Sequence, residues 1–398
     1  MTSAQRGDEA QTSAVPQGAN AGAETALPAA RSQQGCPTLV ALADRGAIYQ
    51  YCRQLANALA KHTPCRVVIP QSAPVSGFSH DVDVRRVPAP LGLSLRELVA
   101  APAHLLGFIR FRGSLRAEEC SVVHFLHYHP WLTLAAPSVS ERLAVTIHDP
   151  LLHAGERLLR KRIAGAAYRK YARHIFVHGQ LLKEQLVGQC VPAARIGVIP
   201  LGVCAEREDA PAARMSETPT ALFLGRILAY KGVDTLLAAA DGLGELVEGF
   251  KLVIAGEGDM APYREAVERA QRAGYLRVEN RFLAEDEMRA LIEQAWCVVL
   301  PYKEATQTGV APVAFAAGRP VIATRVGAIP ELVHDQSTGI LVPPDEPGAL
   351  RAAMARLLTD RRLAQTMGGA AREFAQRELS WEAVARRCLQ VYSAIGHG

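Results

Sequence analysis

No stretch of the 398-residue chain comes near the roughly 18 consecutive apolar residues that a membrane-spanning helix needs. Short-spaced metal or disulfide signatures are also missing. The eight cysteines (residues 36, 52, 65, 120, 190, 204, 297 and 388) are scattered, with no Cys-x-x-Cys pair and no close Cys/His set. They read as reduced thiols of a cytoplasmic protein, with neither a zinc site nor a disulfide framework. Aromatic residues are only 6% of the chain and the net charge is a mild +5. A nucleic-acid binder shows a denser basic face with interleaved aromatics, so nucleic acid is not an expected partner. The charge does suit phosphate-bearing ligands or an anionic membrane surface. Residues 1–36 are rich in Ala, Gln, Ser and Gly without an apolar core segment, which predicts a disordered tail and not a signal peptide.

What is present is alternation. Apolar strand-like runs (TLVALA, RVVIP, SVVHF, LAVTI, ALFL, KLVIA, WCVVL, VIAT, GILV) alternate with helix-period segments. That rhythm predicts parallel α/β architecture. Helices are expected over residues 48–62, 233–240, 285–294, 350–358 and 383–392, and a short strand at Arg281–Leu283. At this length two domains are expected. They are placed at residues 37–203 and 220–375, with residues 204–219, charged and Ala/Pro-rich, as a linker and residues 376–398 as a C-terminal helical segment.

The stretch PYKEATQTGVAPVAFAAGRPVIAT, residues 301–324, concentrates the chemistry. It follows a strand, turns polar, then enters a segment apolar on every face, which predicts a helix buried all round with Thr308 as its N-cap. A helix N-terminus at the carboxyl edge of a sheet suits an anion. Glu304, Thr306, Gln307, Thr308 and Gly309 are therefore candidate ligand contacts. Gly225, Arg226 and Lys231 follow another strand, and two cations there suit a diphosphate. Gly46 after the first strand fits either a phosphate loop or a turn that needs glycine.

In the first half, His127, Tyr128, His129 and Trp131 gather ring side chains at a strand end. They fit a sugar-stacking surface or an aromatic filling between domains. His148 and Asp149 end the next strand, with His153 beyond, and a neutral imidazole there can hold a hydroxyl or take a proton. Asp81 and Asp83 form an acid-x-acid pair that fits a metal site or an ordinary half-exposed strand. Residues 156–174 are strongly basic with an apolar face, so they fit either a solvated surface or contact with anionic lipid or an anionic acceptor.

Taken together, FLGRILAYKGVDTLL, LVIAGEG, VLPY, AFAAGRPVIATRVGAIPELV and STGILVPP resemble the retaining nucleotide-sugar glycosyltransferases of family 4. TIHDP, IFVHGQLLKEQL and VIPLGV in the first half fit the same pattern. The resemblance spans residues 37–395 and is strongest over 221–345. It implies the GT-B fold, two Rossmann-like domains facing across a cleft. It implies transfer of a hexose, with retention, from a nucleotide-diphosphate sugar to a saccharide, lipid-linked or small-molecule acceptor. Arg226 and Lys231 match the family's diphosphate-binding pair, and His148 matches a histidine near the transferred sugar. The final helix is expected to cross back to the first domain, and no metal or other cofactor is expected. Acceptor contacts fall to His127, Tyr128, His129, Trp131 and His153, and the catalytic set to His148, Asp149, Arg226 and Lys231.

One departure is plain. The family's two glutamates, with seven residues between them, would fall at Ala305 and Val313. The loop offers Thr306, Gln307 and Thr308 instead, the pattern of a subgroup without the acidic pair. A sugar-nucleotide-binding protein without turnover is the main alternative. An epimerase of the same fold would need carboxylates where only Glu304 stands, and a metal-dependent transferase would use Asp81 and Asp83.

Overall fold

The computed structural model describes residues 36–88, 101–117, 120–148, 158–203 and 215–396. Its first half is a seven-stranded, all-parallel sheet: β1 Thr38–Val40, β2 Cys65–Pro70, β3 Val82–Val87, β4 Val123–Phe125, β5 Leu143–Ile147, β6 His174–Val177 and β7 Ile196–Val198, in the order β3-β2-β1-β4-β5-β6-β7. The helices packed about it are α1 Gly46–Ala60, α2 Ala101–Ala117, α3 Pro130–Ala135, α4 Leu158–Tyr171 and α5 Gln180–Gly188.

The second half repeats the plan. Strands β8 Thr220–Leu224, β9 Lys251–Ala255, β10 Leu276–Glu279, β11 Cys297–Leu300, β12 Val321–Thr324 and β13 Gly339–Val342 pair in the order β10-β9-β8-β11-β12-β13. Helices α6 Val233–Ala240, α7 Arg264–Arg272, α8 Glu285–Gln294, α9 Val310–Ala316, α10 Ile329–Leu332, α11 Pro347–Thr359 and α12 Arg361–Phe374 accompany it. Because strands of such sheets are covered on both faces, they read as unbroken apolar runs. Residues of β5, β11 and β12 are buried without exception.

The last helix, α13 Trp381–Gly396, leaves the second half and packs on α1. Val384, Ala385, Cys388 and Tyr392 enter the core formed by Tyr51, Leu55 and Leu59. The crossing point is tied by the amide of Val203, which donates to the carbonyl of Leu379 at 2.9 Å.

Two local expectations need correction, and one helix was not expected. Arg281–Leu283 is not a strand. The edge strand is β10, whose Leu276 and Val278 face inward, while Phe282 is 79% exposed. Helix α9 is not buried all round, since Val313 is 40% exposed. Helix α12 has no counterpart in the sequence reading. Apart from Met367, its buried stripe (Ala364, Gly368, Ala371) is made of small residues that do not announce a core face.

Asp83 lies in β3 and pairs with Arg66 at 2.7 Å and Arg85 at 2.9 Å, as in an ordinary half-exposed strand. Among the described residues no three His, Cys, Asp or Glu side chains are grouped as metal ligands. No described helix is long and apolar enough to cross a membrane.

Candidate functional site

In an open parallel sheet, loops leave the carboxyl ends of neighbouring strands in opposite directions where the strand order reverses, and ligands bind in that crevice. In the second sheet the reversal falls between β8 and β11. The loop after β8 carries Gly225, Arg226 and Lys231, and the loop after β11 runs from Pro301 to Gly309. Topology alone therefore brings these two segments together. Gly232, which starts α6, has φ of 69°, and a Cβ there would lie 1.8 Å from the carbonyl oxygen of Pro301. Only glycine lets the two loops approach so closely.

Lys231 Nζ donates to the Tyr302 hydroxyl at 2.9 Å and lies 4.0 Å from the centre of that ring. Tyr302 is 1% exposed, and burial pushes its pKa up to about 12, with the nearby Thr308 side chain opposing that rise. Lys231 and Tyr302 are thus joined, with Thr308 beside them. Removal from water, with the Arg226 charge beside it, lowers Lys231 to about 8. Arg226 is exposed and has no hydrogen-bond or ion-pair partner among the described residues. No described carboxylate pairs with Lys231 either. Lys303, by contrast, is paired with Asp234 at 2.7 Å and Asp345 at 3.0 Å. The crevice thus holds two cations without a counter-anion among the described residues.

The rest of the 301–309 loop is specific in its bonding. The Thr306 carbonyl accepts from the Ala328 amide at 3.1 Å. Thr308 Oγ1 accepts from the Val310 amide at 3.2 Å, although the helix boundary makes Gly309 the formal N-cap. Gln307 Nε2 donates to the carbonyl of His148 at 3.0 Å, joining the two halves, while its Oε1 is buried without a protein partner. Glu304 and Gly309 are exposed. Gly225 and Gly46 both have positive φ, 132° and 76°. Gly46 opens α1, and a Cβ added there would meet no atom within 4 Å, so its turn conformation is what requires glycine.

In the first sheet the order reverses between β1 and β4, and Leu42 N donates across that gap to His127 Nε2 at 2.9 Å. Burial pushes His127 down to about 3, so it is a neutral structural acceptor. Trp131 is 6% exposed with Phe108 and Phe111 against it, so the ring expected to stack on a sugar lies in the core. His129 caps α3 by accepting from the Trp131 amide, and Tyr128 stacks on Tyr168. His148 also departs from expectation: Nε2 contacts the Leu126 carbonyl at 2.9 Å and Nδ1 contacts His178 Nε2 at 3.0 Å. Both ring nitrogens are occupied, so neither is presented to a ligand. Asp149 and His153 lie outside the described residues.

Sequence reasoning missed Tyr302, His178 and Glu331. His178 follows its strand directly, as His148 does, and Tyr302 is the second residue after β11, so position at a strand end was the available signal. Glu331 of α10 accepts from the amides of Gln180 and Leu181, the latter at 2.8 Å, and so caps α5 of the other half. A cavity of about 410 Å³ lies between these bridges, lined by His178, Gly179, Gln307, Thr308 and Glu331 among others.

Residues 49–207 match the family model described as Glycosyltransferase Family 4, and residues 218–360 the one described as Glycosyl transferases group 1. The chain belongs to the GT-B glycosyltransferases of the family 4 type. Among curated glycosyltransferase relatives, a glycogen synthase of Mycobacterium tuberculosis is 34% identical over 209 residues, covering 52% of this chain and 50% of that one. A GDP-mannose-dependent alpha-(1-6)-phosphatidylinositol monomannoside mannosyltransferase of the same organism is 32% identical over 49% of this chain and 55% of its own. The chain thus spans about half the length of these two. A D-inositol 3-phosphate glycosyltransferase of Segniliparus rotundus is 27% identical over 89% of this chain and 86% of its own. The fold matches sucrose-phosphate synthase from Thermosynechococcus elongatus with a TM-score of 0.67 at 23% identity, over 91% of this chain and 99% of that one. It also matches an Anabaena protein solved with UDP and glucose, with a TM-score of 0.66 at 15% identity, over 91% and 100% of the two chains. These likenesses establish the glycosyltransferase GT-B fold, two Rossmann-like halves of parallel sheet.

Proposed function

We propose that the protein transfers a hexose from a nucleotide-diphosphate sugar to a saccharide, lipid-linked or small-molecule acceptor, with retention of anomeric configuration. The observation that carries this reading is the uncompensated pair Arg226 and Lys231 at the switch point of the second sheet, with Lys231 hydrogen-bonded to Tyr302. Two cations without a carboxylate are half of an ion pair whose other half is the ligand. The Anabaena neighbour solved with UDP and glucose supports a nucleotide diphosphate as that ligand.

In the reaction the bond from the anomeric carbon to the diphosphate oxygen breaks, and its electron pair leaves with the diphosphate. The acceptor hydroxyl oxygen bonds the same carbon, and its proton passes to the leaving phosphate. Arg226 and Lys231 stabilise the charge that grows on the diphosphate. Electrostatic stabilisation of this kind is commonly the largest catalytic contribution. His148 serves through its carbonyl, which receives Gln307 from the other half, while Gln307 Oε1 stands buried and unpartnered for a donor hydroxyl. Incubating the full chain with a panel of UDP-, GDP- and TDP-hexoses and following hexose loss by mass spectrometry tests this. The anomeric coupling constant of the first product, by NMR, tests retention. Absence of turnover with every donor that binds favours the second reading, a sugar-nucleotide-binding protein, which Val313 at the second family carboxylate position supports.

We further propose the peripheral membrane contact on residues 156–174, which include α4, and extend it to α2; neither helix contains an acid. Leu105, Leu106 and Ile109 of α2 and Ile163 of α4 are exposed, and the same two helices carry the exposed Arg110, Arg162 and Lys170. Apolar tips amid cations suit an anionic bilayer at the cytoplasmic face. Flotation with phosphatidylglycerol vesicles, lost when Leu105, Leu106 and Ile109 are replaced by Ser, tests it; no flotation of the wild type refutes it.

A further inference from the structure

Four neighbouring strands of the first sheet end in a single hydrogen-bonded row. Leu126, His148, His178 and Ile199 are each the first residue after their strand, β4, β5, β6 and β7. The Leu126 carbonyl lies 2.9 Å from His148 Nε2, His148 Nδ1 lies 3.0 Å from His178 Nε2, and His178 Nδ1 lies 3.2 Å from the Ile199 carbonyl. The two rings are 4.8 Å apart between centres, and Tyr51 meets both edge-on at 5.0 and 5.6 Å.

Counting protons decides how this row is wired. A carbonyl only accepts, so three contacts need three hydrogens, and two neutral imidazoles supply two. Burial keeps both rings neutral near pH 7, at about 4 for His148 and about 3 for His178. One contact must therefore lack a hydrogen. Protonating the rings at opposite ends would face two lone pairs at 3.0 Å, and protonating both at Nδ1 would leave the 2.9 Å contact to Leu126 empty. Protonating both at Nε2 leaves empty only the longest contact, 3.2 Å to Ile199. Tautomers are assigned from such networks, and this network selects one.

We propose that His178 is a positioning residue: its Nε2–H holds His148 as the Nε2–H tautomer and thereby fixes the His148 main chain whose carbonyl receives Gln307 from the donor-binding half. The consequence for turnover rests on the transferase reading above. The consequence for the tautomer does not.

The test labels the histidines of the full chain with ¹⁵N and records long-range ¹H–¹⁵N correlations at pH 7.5. The expected result is Nε2–H with an accepting Nδ1 for both rings. An Nδ1–H form of His148, or an imidazolium at either position, overturns the proposal in the wild type alone, whether or not any variant folds. His178→Gln keeps a donor facing His148 Nδ1, and His178→Leu removes it. The Gln variant is expected to preserve the His148 signature and the donor KM within about twofold. The Leu variant is expected to give mixed His148 tautomers and a KM about fivefold higher, the loss of one net hydrogen bond. An unchanged His148 signature in the Leu variant overturns the proposal. A protein that transfers no sugar leaves the spectroscopic arm decisive while refuting the transferase reading.

Discussion

Lys231 Nζ sits 2.9 Å from the Tyr302 hydroxyl and 4.0 Å from the centre of the Tyr302 ring, so one aromatic side chain both receives a hydrogen bond from the cation and lies under its charge. Tyr302→Phe keeps the ring and deletes the oxygen. A hydrogen bond to a charged group is worth about 1.5–3 kcal/mol, so kcat/KM is expected to fall by roughly 10- to 100-fold with the fold intact. Wild-type kcat/KM in this variant would remove Tyr302 from the site.

Lys231 titrates at about 8 because burial disfavours its charge and Arg226 repels it. The sign follows directly. The ammonium is present below that value and disappears as pH rises through it, so affinity for a nucleotide diphosphate is flat below pH 8 and weakens above it, by up to tenfold per pH unit. Lys231→Arg stays charged throughout and is expected to abolish the fall. Calorimetric titration of UDP and GDP from pH 7 to 10 measures both curves. A wild-type curve that stays level across that range contradicts the assignment.

Glu331 caps the first turn of α5 from the opposite half. Loss of such a cap costs about 1 kcal/mol. Glu331→Ala is therefore expected to speed amide exchange at Gln180 and Leu181 and to lower the midpoint of unfolding by a few degrees. Unchanged protection at those two amides would show that the bridge contributes nothing in solution.

His124 is fully buried between the Tyr392 hydroxyl at 2.6 Å and Thr146 Oγ1 at 2.8 Å. Burial lowers it from 6.5 to about 3. In that window the unfolded chain takes a proton that the folded chain refuses. Stability is thus held above pH 6.5 and lost as pH falls towards 3, by up to about 1.4 kcal/mol per pH unit from this group. His124→Asn removes one proton from that slope, and urea denaturation between pH 6.5 and 4 reads the difference. Equal slopes would mean that His124 is charged in the folded protein.

The parallel two-sheet plan was legible because unbroken apolar runs have few other uses in a chain of this size. Helix boundaries were found where caps and breakers mark them, as at α6 and α8. Small-residue faces such as α12 carry no such mark. The cations after β8 drew notice because two of them stand close together after a strand, beside a helix start. The ring cluster at 127–131 left two readings open, since rings that fill a core and rings that bind a sugar are the same residues in sequence. Only the packing of Phe108 and Phe111 against Trp131 separates them. Tyr302, His178 and Glu331 escaped because their roles depend on partners 71, 30 and about 150 residues away.

The central claim is that Arg226 and Lys231 hold a diphosphate, and its most direct measurement is calorimetry of UDP against UMP, and GDP against GMP, on the wild type and on Arg226→Ala/Lys231→Ala. One well-placed charge contact contributes about 3 kcal/mol, so the wild type is expected to bind the diphosphate of at least one pair about 100-fold more tightly than its monophosphate. The double variant should lose that preference while still binding the monophosphate. Equal affinities in the wild type, or a preference that survives in the double variant, would contradict the account.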